Sequence, residues 1–357
     1  MRRISGAWWL RVGVVVAVAA AVVLVIVWRG PSWTALRDTF SVVYWRWVLA
    51  AIGLNLLSVV CRSIAWRVVI DQAMPPPRPG YRLVFSAFSV GLFANAVLPG
   101  RIGELARVAV LTRKVNARRG IWATLVGTVF AHRVFDLVPV LGLIVYVLLT
   151  AKIPHWAVTS LVVVIAVGVG MLAFAIASAR GHQRSPLDEL GAVRRLLTMA
   201  RQGLAVMRSP FGAFVAIVFQ FAGWTCQLFA VWTAMRAFDI HAPLPAAGLV
   251  LVLMNVATIF PLWPGNVGLV QIAVALPLRE YGVSAASGFA YGIGLQAIEA
   301  SVGVGMGLIF LAREGLSFAM LRVMPDASQA EIGDEETDAR ARSADEPEKR
   351  LVGDRSR

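Results

Sequence analysis

Cysteine is nearly absent. The chain of 357 residues has two, Cys61 and Cys226, both inside apolar runs, so the sequence predicts no disulfide framework and reads them as small packing residues. Charge is also scarce, at 15% of residues against roughly 25% in soluble domains. No P-loop occurs, which argues against ATP hydrolysis by this chain. There is no HExxH, and His132, His155, His182 and His241 are too scattered for a metal site. Ser284 and Ser287 lie near glycines, but no histidine falls in the same layer to serve them as base. The sequence calls for no cofactor.

What the chain has instead is apolar length. Hydrophobic residues make up 58% and mean hydropathy is +0.72, the composition of a polytopic, all-α integral membrane protein. The formal charge of +14 does not point to nucleic acid. Residues 313–357 hold eight Lys or Arg against eleven Asp or Glu, so the body before them carries +17, mostly arginine beside the ends of apolar runs. Base so placed belongs to membrane topology and anionic lipid. Arg2 and Arg3 precede an apolar run from Val12 to Val27, longer than a signal-peptide core and followed by no small-residue cleavage site, so it reads as an uncleaved first span.

Windows of bilayer length place apolar segments at about 10–28, 45–65, 83–98, 121–149, 156–178, 211–236, 246–263 and 286–312. The third and seventh are each followed by a shorter arm, 101–113 and 266–278. Both arms begin after matching breaks, Leu98-Pro99-Gly100-Arg101-Ile102-Gly103 and Trp263-Pro264-Gly265-Asn266-Val267-Gly268. An arm of about 13 residues rises only about 20 Å as helix, too little to cross the hydrocarbon core. The stretch around Arg62, Arg67, Arg78 and Arg82 reads as a basic connection, as does that with Arg113, Lys114, Arg118 and Arg119. Positive-inside bias puts both in the cytoplasm, so the third segment and its arm form a re-entrant hairpin. The stretch 237–245 has no Lys or Arg and 279–285 has only Arg279, so the second hairpin enters from the opposite face.

The expected plan is six full spans and two re-entrant hairpins, with both termini cytoplasmic in the plasma membrane; eight plain spans are the alternative. Repeat one covers about 10–150 and repeat two about 156–312, within a membrane domain of residues 1–320. A shift of 165 residues superposes the two breaks, and also Asn55 on Gln220 and Cys61 on Cys226, as an inverted repeat requires. In the 179–209 linker, Leu187, Leu190, Val193, Leu197, Leu204 and Met207 form an apolar helical stripe flanked by arginines. It suits either the anionic lipid surface or another cytoplasmic loop. Residues 321–357 are too polar to bury a core and read as a disordered cytoplasmic tail.

Ionisable residues inside apolar runs mark where chemistry would occur, because charge at mid-bilayer costs about 2.5–3.5 kcal/mol on insertion scales. They are Glu104 and Arg107 on the first arm, His132, Arg133 and Asp136 on the fourth segment, and Glu299 on the eighth. His132, Arg133 and Asp136 share a helical face and can neutralise one another. One reading is a buried ion pair between helices, with Arg133 held by Asp136 or Glu104. The other is a polar cavity where Arg107 and Arg133 receive an anionic headgroup, Glu104 and Asp136 orient them, and His132 or Glu299 couples protons or charge. The breaks add helix N-termini that attract anions, so Pro99, Gly100, Arg101, Gly103, Pro264, Gly265, Asn266 and Gly268 join the substrate-binding candidates.

The pattern Asn95-Ala-Val-Leu-Pro99-Gly100-Arg-Ile-Gly103-Glu104-Leu-Ala-Arg107, with His132-Arg133-Val-Phe-Asp136-Leu and Phe260-Pro261-Leu-Trp-Pro264-Gly265-Asn-Val-Gly268, resembles the flippase-like membrane domain of lysylphosphatidylglycerol synthases. The similarity spans roughly residues 10–312. It implies movement of an anionic or polyprenyl-linked lipid between leaflets, without the soluble aminoacyl-transferring domain. His132 stands where that family's pattern suggests an acid, and Glu299 where a basic residue is common. A membrane-embedded lipid-modifying transferase, or an accessory subunit of one, with Glu104 or Asp136 as base, is the alternative.

Overall fold

The computed structural model describes residues 43–97, 102–115, 121–180, 209–258 and 266–313, with a few positions before 43. The predicted first span, residues 181–208 of the linker and the 321–357 tail lie outside the described residues, as do Pro99, Gly100, Arg101, Pro264 and Gly265.

Every described element is helical. In order they are α1 (Trp45–Ala73), α2 (Tyr81–Val97), α3 (Gly103–Lys114), α4 (Ile121–Thr150), α5 (His155–Arg180), α6 (Pro210–Ala237), α7 (Leu244–Ala257), α8 (Leu269–Leu278) and α9 (Ala285–Arg313). Four are long and apolar enough to cross a membrane: α1, residues 124–150 of α4, α6 and α9. The 17 residues of α2 rise about 25 Å and the 12 of α3 about 18 Å, each short of a hydrocarbon core of about 30 Å.

One element departs from the sequence reading. The α1 helix runs to Ala73 rather than ending near 65, so Arg62 and Arg67 belong to a helix and not to a basic connection. Charge stopped the hydropathy window, whereas in the fold each arginine has a carboxylate partner: Asp136 for Arg62, and Asp71 one turn on for Arg67.

Helix α1 packs along α6, end against opposite end. The Tyr44 N–H donates to the Ala237 carbonyl at 2.9 Å, while the Gln72 side chain lies against Gly212. The start of one helix therefore meets the finish of the other. Near the middle, Arg62 packs against Gly223 and donates to Gln227, 165 residues away in sequence, and the Cys61 and Cys226 thiols come within hydrogen-bonding reach. Both cysteines are free.

The short helices form hairpins. Asn95 on α2 accepts the Gly103 N–H at 2.9 Å, and Gly91 and Gly103 approach so closely that a Cβ on Gly103 would overlap the Gly91 carbonyl. Contact at this distance lets α3 fold back along α2. In the second hairpin the Asn266 amide donates to the Ala257 carbonyl, and Gly268 takes φ +93°, a conformation that favours glycine. Each hairpin also packs on a long helix of the other half, with Phe93 of α2 against Gly307 of α9, and Gly248 of α7 against Leu143 and Val147 of α4.

Candidate functional site

Between these helices lies a polar cavity of about 360 Å³. Among its lining residues are Asn55 and Arg62 of α1, Glu104 and Arg107 of α3, His132 and Arg133 of α4. The second half contributes Gln227, Asn255, Asn266, Gln296 and Glu299. Nearly all the ionisable candidates read from the sequence thus converge on one place.

Asp136 is the most fully satisfied. It accepts from Arg62 Nη2 at 3.1 and 3.2 Å, from the Trp224 indole at 3.1 Å and from Arg133 Nη1 at 3.4 Å. Arg133 turns its Nε and Nη2 to Glu104. The charges therefore form one chain, Arg62–Asp136–Arg133–Glu104, with Asp136 buried and each arginine compensating a carboxylate. Arg62 also lies over the Trp224 ring, 5.2 Å from its centroid, so the indole both cradles the cation and donates to its carboxylate.

His132 belongs to this neighbourhood by position rather than by charge. Its ring is buried, set edge-on to Phe88 and against the Gln220 amide, and the Gln220 amide donates to its carbonyl at 3.3 Å. The expected mutual neutralisation on the α4 face thus holds for Arg133 and Asp136. His132 makes no hydrogen bond to Asp136, because Gln220 occupies its polar edge and Arg62 takes the carboxylate.

Arg107 is different. It is 5% exposed and stacks over Trp66 at 4.7 Å and Phe88 at 5.5 Å. Trp66 is itself fixed by its indole N–H, which donates to Thr128 at 3.2 Å. The Nε and Nη2 of Arg107 are buried without a hydrogen-bond partner. Across the cavity Glu299 is partly buried, with its Oε1 shielded and likewise without a partner. Gly103, Asn266 and Glu104 also line the cavity, while Gly268, whose N–H is taken by the Gln271 side chain at 2.5 Å, does not.

Sequence reasoning missed Arg62, Gln227, Trp224, Trp66 and Gln220 as site components. The 165-residue shift between the two breaks carried a signal for three of them, because it pairs Asn55 with Gln220 and Arg62 with Gln227. The aromatic supports carried none, since a tryptophan in an apolar helix is ordinary until its neighbours are known. Among the described residues no group of His, Cys, Asp and Glu could hold a metal ion.

A bundle of apolar helices enclosing a charged, amide-lined cavity defines a multi-pass membrane protein with an internal polar site. Residues 8–307 match the model of the lysylphosphatidylglycerol synthase transmembrane region, and the chain belongs to that family. It is also similar to the UPF0104 membrane protein MJ1078 of Methanocaldococcus jannaschii, 21% identical over 206 residues, covering 56% of this chain and 84% of that protein. No solved structure matches it.

Proposed function

We propose that the protein moves a lipid with an anionic headgroup, phosphate-bearing or polyprenyl-linked, between the leaflets of the plasma membrane. The observation that carries this reading is Arg107, a buried cation that lines the polar cavity and whose shielded Nε and Nη2 have no hydrogen-bond partner. A buried cation without its hydrogen bonds is costly, and an anionic phosphate in the cavity that this residue lines would compensate its charge. Arg133 then acts less as a ligand than as a charge relay, because Glu104 and Asp136 already hold it. The same engagement argues against either carboxylate as the base of a transferase, so the reading is transport or binding rather than catalysis.

An inverted repeat would supply the alternating geometry. Its support is the antiparallel α1–α6 pair, the start of those helices 165 residues apart, and the recurrence of long, short, short, long helices in α1–α4 and α6–α9. In this arrangement α2–α3 and α7–α8 are re-entrant hairpins from opposite faces, and both termini are cytoplasmic.

Reconstitution in vesicles with fluorescent anionic lipids tests the function directly. Dithionite quenching should reveal movement of labelled lipid by the wild-type chain and its loss in Arg107→Gln. Equal rates in wild-type, Arg107→Gln and protein-free vesicles would end the proposal, and appearance of a chemically altered lipid would favour the transferase.

A further inference from the structure

A second cavity, of about 530 Å³, lies on the other side of the charged chain, between α4, α5, α6 and α7. It is the more apolar of the two. Val134, Leu137, Val140 and Ile144 of α4 face Val164 and Met171 of α5 across it, with Val252 and Val256 of α7 along one side. Its polar lining is Asp136, the Trp224 indole, and Arg62, Glu104, Arg133 and Asn255, the last four of which line the first cavity as well.

Those four shared residues therefore stand as a septum between a polar chamber and an apolar groove. The openness of two of them agrees: the Arg133 and Glu104 side chains are 42% and 35% exposed, whereas Asp136 behind them is 7% exposed. Resting on the headgroup assignment to Arg107, we propose that the groove holds one hydrocarbon chain of the same lipid, with the Arg133–Glu104 pair forming the gate its polar end must pass.

The adjacency of the two cavities, which share four lining residues, selects this occupant. A soluble anion would use the polar chamber and leave the groove unused, and a peptide segment would need hydrogen-bonding partners that valine, leucine and methionine do not offer. A molecule with an anion at one end and a hydrocarbon at the other satisfies both sides of the septum at once. Helix α5 suits the outer wall of such a groove. Val162, Val163 and Val167 are exposed on it while Val164 turns inward, so a chain can enter beside it from the surrounding lipid.

The test uses the full chain in nanodiscs of phosphatidylglycerol, doped with phosphatidylglycerol bearing a diazirine on one acyl chain. After illumination, crosslinks are mapped by peptide mass spectrometry. The expected result is labelling of residues 134–144 together with 164 and 171, falling about tenfold in Val164→Trp, which fills the groove from its lip. Thermal stabilisation of the same variant by sn-glycerol 3-phosphate should match wild type, because the polar chamber is untouched. Labelling confined to the outward residues 162, 163 and 167, unchanged by Val164→Trp, would mean surrounding lipid only and would overturn the groove. Stabilisation by glycerol phosphate that survives Arg107→Gln would overturn the headgroup assignment instead, so the two failures read differently. If Val164→Trp folds poorly, Val140→Phe, on the opposite wall, replaces it with the same expectation.

Discussion

Arg62 and Gln227 touch side chain to side chain, Nη1 donating to Oε1 at 3.4 Å, although 165 residues separate them. The separation equals the offset between the two Pro-Gly breaks in the sequence, and the contact falls where α1 and α6 pack together. Cys61 meets Cys226 nearby at the same offset.

This contact predicts a crosslink. Mild copper–phenanthroline oxidation of the purified chain should join Cys61 to Cys226 within one molecule, shifting mobility on a non-reducing gel and removing both free thiols. Cys61→Ser should abolish the shift. Crosslinked dimers instead of the intramolecular band would contradict the α1–α6 pairing.

Arg107 should be worth more to function than to stability. Arg107→Leu removes an unpaired buried charge and keeps apolar bulk beside Trp66 and Phe88, so thermal stability should stay level or rise by about 1 kcal/mol while lipid movement is lost. Arg107→Lys should insert normally but move lipid about tenfold more slowly, since an ammonium lacks the planar fork. A marked loss of stability in Arg107→Leu would return this arginine to a structural role.

Asp136 should behave in the opposite way. Removing its charge by Asp136→Asn strands Arg62, while Arg133 keeps Glu104, which should cost about 3 kcal/mol and lower the amount of folded protein. Pairing Arg133→Ala with Asp136→Ala should leave Arg62 uncompensated and so recover little, whereas simple two-member pairing predicts recovery. Denaturation midpoints of the single and double variants distinguish these.

Backbone contact between the short helices gives a sharper contrast. Gly103→Val must displace the Gly91 carbonyl and Asn95, so the first hairpin should not close and membrane yield should fall severely. Gly53→Val, where nothing lies within 4 Å, should be tolerated within about 1 kcal/mol. Quantitative immunoblots of membrane fractions read both.

Topology can be read with single cysteines in a Cys61→Ser/Cys226→Ser background. Arg78→Cys and Arg113→Cys, at the two ends of the first hairpin, should both react only from the cytoplasm, and His241→Cys only from outside. Reaction of the first two from opposite sides would turn α2–α3 into a crossing unit and remove the inverted plan.

The sequence by itself determined the class of protein and nearly every helix, because bilayer length and apolar composition act locally: a run either is or is not long and apolar enough. It also brought Glu104, Arg107, His132, Arg133, Asp136 and Glu299 forward, since a charge inside such a run stands out without knowledge of its neighbours. It misjudged Arg62 for the same local reason, taking an arginine at the edge of a window for a loop residue. Only the tertiary structure decided which charges neutralise each other. Arg133 and Arg107 look alike as letters, yet one is held between Glu104 and Asp136 while the other lies over Trp66 with two nitrogens unpaired. That difference is set by side chains from α1, α3 and α4 meeting in space, and distance between groups remote in sequence is what composition and periodicity do not encode.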